Sequence, residues 1–302
     1  MNYIETAATV GFFDGVHTGH RFLLEQLKMQ AEQDGLRTAA ITFRQHPRLV
    51  LQQDYQPKML NTFDERMQLL AETGIDYCYL IDFTQEFSEY SAQDFIQKVL
   101  SEQLNVKTLL VGYDHKFGKN RNQSFEQYIE YGKACGMKVL SAKETDEHIS
   151  STVIRRLLEE GNVKEAAQKL AYFYRLEGEV IHGNHLGRTM GFPTANLQLN
   201  DFHKIIPHEG VYAARVWLGE EHFLAMAYIG KRPTVVEQGA QRIEANIFDF
   251  DRDIYGQNIA IELVDFIRPD IHFQNLNALI EQLHLDKKAC LQLFDTPKFT
   301  IS

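Results

Sequence analysis

The sequence predicts two folded units: an α/β unit built on a parallel sheet, then a small antiparallel β-barrel closed by a C-terminal helix. Three observations predict it. Over residues 7–142, short β-rich runs alternate with longer amphipathic segments, the pattern of strand–helix–strand units that make a parallel sheet with helices on both faces. Beyond residue 175, strand-like runs follow one another with turn residues between them, the spacing of a compact antiparallel barrel. The 302 residues suffice for two domains at about 100–200 residues each. The junction is expected at 173/174, giving domains of 1–173 and 174–302.

In chain order, the first strands are expected at Ala7–Phe12, Thr38–Phe43, Tyr77–Phe83, Thr108–Gly112 and Lys138–Ser141. The helices between them are expected at Arg21–Asp34, Phe63–Thr73, Ala92–Gln103 and Ser124–Cys135. Gly35, Gly74 and Gly136 fall just past three of these, where a C-cap favours a residue tolerant of positive φ. Two short helices, Val153–Glu160 and Val163–Leu170, flank Gly161, with Asn162 placed to cap the second. The barrel strands are expected at Leu176–His182, Ala195–Leu199, Val211–Leu218, Phe223–Ile229, Ile243–Phe250 and Asn258–Ile267, and a last helix at Leu276–Leu293.

Composition narrows the function. Hydrophobic residues make up 44% and charged ones 24%, an ordinary globular balance. The formal charge of −10 argues against nucleic-acid binding, which needs phosphate-neutralising cations, but leaves room for a small anionic substrate. Three dispersed cysteines, Cys78, Cys135 and Cys290, without a CxxC pair, fit a reducing cytoplasm and no structural zinc. The first residues carry no basic region, and no apolar run approaches the roughly 18 residues a spanning helix needs; a cytoplasmic protein with no membrane partner is expected.

In open α/β sheets, ligands sit beyond the carboxyl ends of the strands. The turn Gly11-Phe12-Phe13-Asp14-Gly15-Val16-His17-Thr18-Gly19-His20 lies at such an end. Its glycines let the backbone approach a ligand closely. The helix that follows aims unpaired N–H groups and positive dipole at it, and His17 and His20 can donate to phosphate oxygens. A second loop, 111–121, mixes Tyr113, Asp114 and Phe117 with Lys116, Lys119 and Arg121; polyphosphate would take the cations and a flat ring the aromatics, while the cations read equally as a solvated surface run. A third stretch, Ser150-Ser151-Thr152 with Arg155 one turn on, is either a helix cap or an anion site suited to pyrophosphate.

In the second half, Gly183, Gly187 and Gly191 precede Phe192-Pro193-Thr194-Ala195-Asn196. Main-chain amides at glycines can wrap phosphates, and a Thr hydroxyl with an Asn carbonyl offers hard oxygen ligands for Mg²⁺. No Walker lysine motif is present. Glu244 lies among mostly apolar neighbours of one strand, so it either faces solvent or is placed to accept a proton.

The His-x-Gly-His turn, paired with the distal Ser-Ser-Thr-x-Ile-Arg, resembles the nucleotidylyltransferase superfamily, whose fold is a Rossmann-like sheet and whose reaction transfers AMP or CMP from a nucleoside triphosphate. The fuller string Gly-Phe-Phe-Asp-Gly-Val-His-x-Gly-His, the Val-Gly-x-Asp-x-x-Phe-Gly loop and the Pro-Thr-Ala-Asn segment are similar to those of the bacterial bifunctional FAD synthetases, which join an FMN adenylyltransferase to a riboflavin kinase. The resemblance covers nearly the whole chain, with its motifs in family order.

It implies ATP, riboflavin and FMN as substrates, FAD as product and Mg²⁺ with ATP. His17, His20 and Arg155 would act at the α-phosphate and pyrophosphate; Gly11, Phe12, Asp14, Gly19, Ser151 and Thr152 would hold ATP; Tyr113 and Asp114 would orient the flavin. In the kinase, Gly183, Gly187, Arg188, Gly191 and Pro193 would bind ATP, Thr194 and Asn196 the metal, and Glu244 aligns with the catalytic carboxylate. Arg268 and the last helix resemble the flavin-contacting end of the kinase module, but Pro269-Asp270-Ile271-His272 replace the acidic residues that usually follow. Thr18 stands where the family usually carries Leu, and Arg44-Gln45-His46-Pro47 departs from the usual Pro before His.

Overall fold

The computed structural model describes residues 4–51, 58–113, 116–119, 122–144, 149–183, 186–231 and 241–295. Of the residues singled out above, Asp114 and Arg121 lie outside the described residues, as do residues 184 and 185 within the glycine-rich stretch. The chain divides into two compact units, 1–151 and 152–302.

The first unit runs β1 (Thr6–Val10), α1 (Thr18–Asp34), β2 (Arg37–Phe43), α2 (Pro47–Leu51), α3 (Phe63–Ala71), β3 (Tyr77–Ile81), α4 (Gln85–Ser88), α5 (Ala92–Asp94), a π-helix (Phe95–Gln103), β4 (Val106–Val111), α6 (Phe125–Ala134) and β5 (Lys138–Ser141). Its five strands pair in parallel in the order β3-β2-β1-β4-β5. The central strand is buried on both faces, as parallel strands are. Ala8, Val10, Ala39 and Ile41 pack toward Phe95, Val99 and Leu100, while Ala7 and Ala40 pack toward Leu24, Leu27 and Leu70.

The helix ends follow local chemistry. Gly35 closes α1 at φ 65, and Gly74 and Gly136 also take positive φ. Thr62 and Ser124 open α3 and α6 with reciprocal capping boxes. The helix expected over Ala92–Gln103 is α for only three residues and then widens, with the Leu104 amide donating to the Val99 carbonyl. The wider turn buries Phe95, Ile96, Val99 and Leu100 together against the sheet; tertiary packing overrides a propensity that reads as ordinary helix. The strand expected at Ala7–Phe12 ends at Val10, and that expected at Tyr77–Phe83 ends at Ile81.

The second unit holds most of α7 (Ser151–Glu159), then α8 (Val163–Leu170), β6 (Tyr174–Ile181), α9 (Leu186–Thr189), β7 (Ala195–Leu199), β8 (Gly210–Leu218), β9 (Glu221–Lys231), β10 (Gln241–Ile247), β11 (Asn258–Pro269) and α10 (Leu276–Phe294). Six strands close a barrel in the order β10-β7-β6-β11-β8-β9. The His208 amide donates to the Leu158 carbonyl, and Lys164 pairs with Asp265, so α7 and α8 fold with the barrel. Asn162 occupies the N-cap position of α8 but its side chain makes no cap bond; its amide donates to Glu160 instead. Helix α10 lays Leu283, Cys290, Leu291 and Leu293 against Val211, Ala213 and Met226 of β8 and β9.

Candidate active sites

The strand order reverses at β1, the first strand, which pairs with β2 on one side and β4 on the other. The crevice beyond β1 is therefore the switch point at which such sheets bind ligands, and the 11–20 turn fills it. The backbone there is tight: Gly15 has φ 86, and two residues with side chains, Phe13 at 57° and Val16 at 36°, also take positive φ. A β-branched residue in that region is strained, and such strain persists where the surroundings over-determine it; Phe13 and Val16 are held by burial in the core.

Helix α1 begins at Thr18, with His17 as its N-cap. The His20 amide donates to His17 Nδ1 at 3.4 Å. Since a backbone N–H can only donate, Nδ1 is an acceptor and the neutral ring carries its proton on Nε2. The two imidazoles stack with centroids 3.7 Å apart and planes 18° apart, and His20 also meets the edge of Phe13. A Cβ on Gly19 would sit 3.2 Å from His17 Nδ1, so glycine there leaves room for the ring to fold over the helix start.

Asp14 lies differently from a ligand-facing acid. Its carboxylate is 4% exposed and accepts the Leu60 amide at 3.0 and 3.2 Å and the Asn61 amide at 3.3 Å, tying the turn to the segment before α3. Ser151, the first residue of α7, donates its hydroxyl to the Asp14 carbonyl at 2.8 Å, which joins the third sequence motif to the first.

Arg66 on α3 was not foreseen. It is 2% exposed, donates to the Phe12 carbonyl at 2.6 Å, Thr42 Oγ1 at 2.9 Å and the Phe43 carbonyl at 2.7 Å, and lies 4.0 Å above the Phe12 ring. It clamps the carboxyl ends of β1 and β2. Burial drives its pKa down to about 10 while the Asp14 charge opposes the shift. Only its place among apolar residues of an amphipathic helix hinted at this, a pattern that reads equally as a solvent-facing arginine.

The second loop divides. Tyr113 is exposed, whereas Phe117 is core: it stacks on Tyr128 at 4.4 Å, whose hydroxyl takes its amide. Lys119 is engaged with Glu89. Thr152 and Arg155 lie in the first turns of α7.

In the barrel, β7 and β10 pair so that Asn196 stands directly opposite Glu244, which places both side chains on one face. Across the next ladder, Tyr228 of β9 stands opposite Glu244 and Gly230 opposite Arg242. Period-two alternation puts Arg242, Glu244 and Asn246 on this face, which also carries α10. Glu244 is 7% exposed; Arg242 grips its Oε1 through Nε at 2.6 Å and Nη2 at 2.5 Å. Asn246 donates to the Pro193 carbonyl at 2.7 Å, fixing the Pro-Thr-Ala-Asn segment to the same strand.

The glycine-rich loop folds into the short helix α9, after which the Phe192 amide donates to the Gly187 carbonyl at 2.8 Å. A Cβ on Gly183 would strike the Asn196 amide at 2.3 Å, and one on Gly187 would strike the Phe192 carbonyl at 2.3 Å and approach Thr194 Oγ1 at 3.5 Å. Both glycines thus make a cradle against Thr194 and Asn196. Gly191 takes φ 78, and Arg188 of α9 is exposed. Arg268 holds Asp286 of α10 through Nε at 2.9 Å and Nη2 at 2.8 Å, a tie between strand and helix.

Comparisons with known proteins agree on both halves. The FAD synthetase family model matches residues 2–153 and the riboflavin kinase family model residues 170–294. A bifunctional riboflavin kinase/FMN adenylyltransferase of Listeria monocytogenes is 39% identical over 94% of this chain and 91% of its own. Those of Bacillus subtilis and Escherichia coli are 36% identical over 96% of this chain and 93% of theirs. A solved structure from Streptococcus pneumoniae, described as a macrolide-efflux protein, superposes with a TM-score of 0.88 at 33% identity, covering 96% of this chain and 95% of that one. Among the described residues of this chain, no helix is long and apolar enough to cross a membrane.

Proposed function

The chain belongs to the bifunctional riboflavin kinase/FMN adenylyltransferase family, and from that premise we propose how its residues divide the work. The enzyme phosphorylates riboflavin with ATP to FMN and then adenylylates FMN to FAD, releasing pyrophosphate. We assign the first step to residues 174–302 and the second to 1–173, counting the start of α7 with the second.

For the kinase, the observation that carries the reading is the cross-strand pair Asn196 and Glu244 beside the Gly183 cradle. Glu244 accepts the proton of the riboflavin 5′-hydroxyl as that oxygen attacks the γ-phosphorus and ADP leaves. The 183–191 loop wraps the phosphates with main-chain amides, aided by Arg188 and Pro193. Thr194 Oγ1 and the Asn196 carbonyl would hold Mg²⁺. Two neutral oxygen ligands suit an ion that keeps phosphate and water as its other partners, and among the described residues no cluster of three His, Cys, Asp or Glu competes for it. Bound with the nucleotide, Mg²⁺ would neutralise phosphate charge; positioning by the protein supplies the rest.

For adenylyl transfer, an FMN phosphate oxygen attacks the ATP α-phosphorus and pyrophosphate leaves. His17 donates from Nε2 and His20 from its ring to the oxygens on which charge grows, at the positive end of α1. Gly11, Phe12 and Gly19 shape the nucleotide pocket, with Asp14 acting through the turn it anchors. Ser151, Thr152 and Arg155 at the start of α7 receive the pyrophosphate. Tyr113 and Asp114 orient the flavin. Three dispersed cysteines without a CxxC pair support a cytoplasmic setting.

Incubation with riboflavin, ATP and Mg²⁺, followed by chromatography, should yield FMN and then FAD. FMN alone would sink the assignment of the first domain, and neither product would sink both. Glu244→Gln should lower FMN formation by roughly 10²- to 10⁴-fold, the usual worth of a positioned base, while supplied FMN is still adenylylated; equal loss of both activities would overturn the division of labour.

A further inference from the structure

On the kinase face two polar neighbours of Glu244, Asn246 and Tyr228, have partners elsewhere. Asn246 donates to the Pro193 carbonyl. The Tyr228 hydroxyl donates to Asp270 Oδ2 at 3.1 Å, and its ring lies over Gly230, where an added Cβ would meet that hydroxyl at 2.2 Å. Among the described residues Arg242 alone binds the Glu244 carboxylate, and it does so one-sidedly. Nε and Nη2 both reach Oε1, at 2.6 and 2.5 Å, and among the described residues no hydrogen bond reaches Oε2. An arginine facing a carboxylate fork to fork would engage both oxygens.

A glutamate carboxylate otherwise turns broadly about its last torsion. Two N–H groups of one rigid guanidinium on one oxygen fix the carboxylate plane and leave the other oxygen open. We infer that Arg242 is a positioning residue of the riboflavin kinase reaction, holding Glu244 so that Oε2 is presented to the acceptor hydroxyl. Arg242 touches neither substrate nor the transferred phosphoryl group; it acts through Glu244. The inference rests on Glu244 being the base, and the experiment separates the two.

Riboflavin phosphorylation is measured for Arg242→Met, Arg242→Lys, Glu244→Gln and the Arg242→Met/Glu244→Gln double variant, with adenylylation of supplied FMN in the same chain as the check on folding. Arg242→Met should lower kinase kcat by roughly 10- to 100-fold, the cost of a misplaced reacting group, with KM for riboflavin and ATP within about twofold. Lysine keeps the charge but not the fork, so Arg242→Lys should recover only part of the rate. The double variant should be no slower than Glu244→Gln, because both changes remove one device. Unchanged kcat in Arg242→Met, full recovery in Arg242→Lys, a loss confined to KM, or additive losses in the double variant would each overturn the inference while leaving Glu244 as base. A kinase unaffected by Glu244→Gln would instead remove its premise.

Discussion

Replacing Gly183 with alanine should cripple riboflavin phosphorylation and spare adenylyl transfer. The backbone at Gly183 is not among the positive-φ glycines, so alanine meets no conformational barrier there; the obstacle is steric and local. The new Cβ would lie 2.3 Å from Asn196 Nδ2, 2.6 Å from Cγ and 2.8 Å from Oδ1. Reaching ordinary contact at about 3.5 Å drives the amide back by about 1 Å. Asn196 is the side chain proposed to hold Mg²⁺, whose ligands are set at about 2.0–2.1 Å with little tolerance. A displacement of that size at a reacting centre costs roughly 10²-fold in rate. The assay is FMN formation from riboflavin at saturating ATP and Mg²⁺, beside FAD formation from supplied FMN. A Gly183→Ala kcat within about twofold of the parent would refute the claim that the Gly183–Asn196 contact sets the kinase site. Gly219→Ala, in the turn between β8 and β9, is the control: it has φ 62 and an added Cβ there meets nothing within 4 Å, so it should cost only the left-handed backbone penalty of roughly 1–2 kcal/mol and little rate.

Further predictions concern the first unit. His20→Ala should lower FAD formation from FMN by roughly 10²- to 10³-fold with FMN formation unaltered; an unchanged adenylylation rate would show that the stacked imidazoles do not serve the α-phosphate. Asp14→Asn puts an N–H₂ group where the Leu60 and Asn61 amides need acceptors and strips Arg66 of a nearby counter-charge; it should cost about 2–3 kcal/mol, read as a shift in the denaturant midpoint of the α/β unit, and a shift worth less than about 0.5 kcal/mol would contradict the anchoring role. Asp76 accepts from the Thr38 amide and hydroxyl, which with Arg37 hold its carboxyl below the usual value of 3.8. A depressed carboxylate contributes stability that is fully present above the unfolded value and is lost as pH falls through the folded one, so the melting temperature should drop below about pH 4 less steeply in Asp76→Asn than in the parent. Identical acid limbs would rule Asp76 out as a contributor.

Much of the fold was legible because its signals are local. Three helix-ending glycines and the change from helical period to strand period are each set by neighbours within a few residues, and a parallel sheet follows from the alternation they mark; its strand order came only from the structure. The grouping of candidate residues was legible where a motif is contiguous: the 11–20 turn brings its two histidines together by itself, one helix turn apart, and the glycine-rich loop precedes Pro193-Thr194-Ala195-Asn196 directly. Tertiary structure decided what depends on distant partners. That the Asp14 carboxylate receives amides from Leu60 and Asn61 is one such case. Phe117 looked available to a flat ring and is stacked in the core on Tyr128. Arg66, which no motif singles out, is the buried clamp on two strand ends. The strained φ at Phe13 and Val16 carries no sequence signature, since only packing makes such a backbone tolerable.

The amino-acid sequence by itself determined the element order, the two-unit plan and which residue types stand at the turns, because those follow from periodicity and short-range hydrogen bonding. Only the folded barrel decided that Asn196 faces Glu244 and that Arg242 reaches one of its oxygens and not the other. That register is set by burying the alternate apolar residues of strands far apart in the chain, and a slip of one residue would have turned Glu244 to the opposite face.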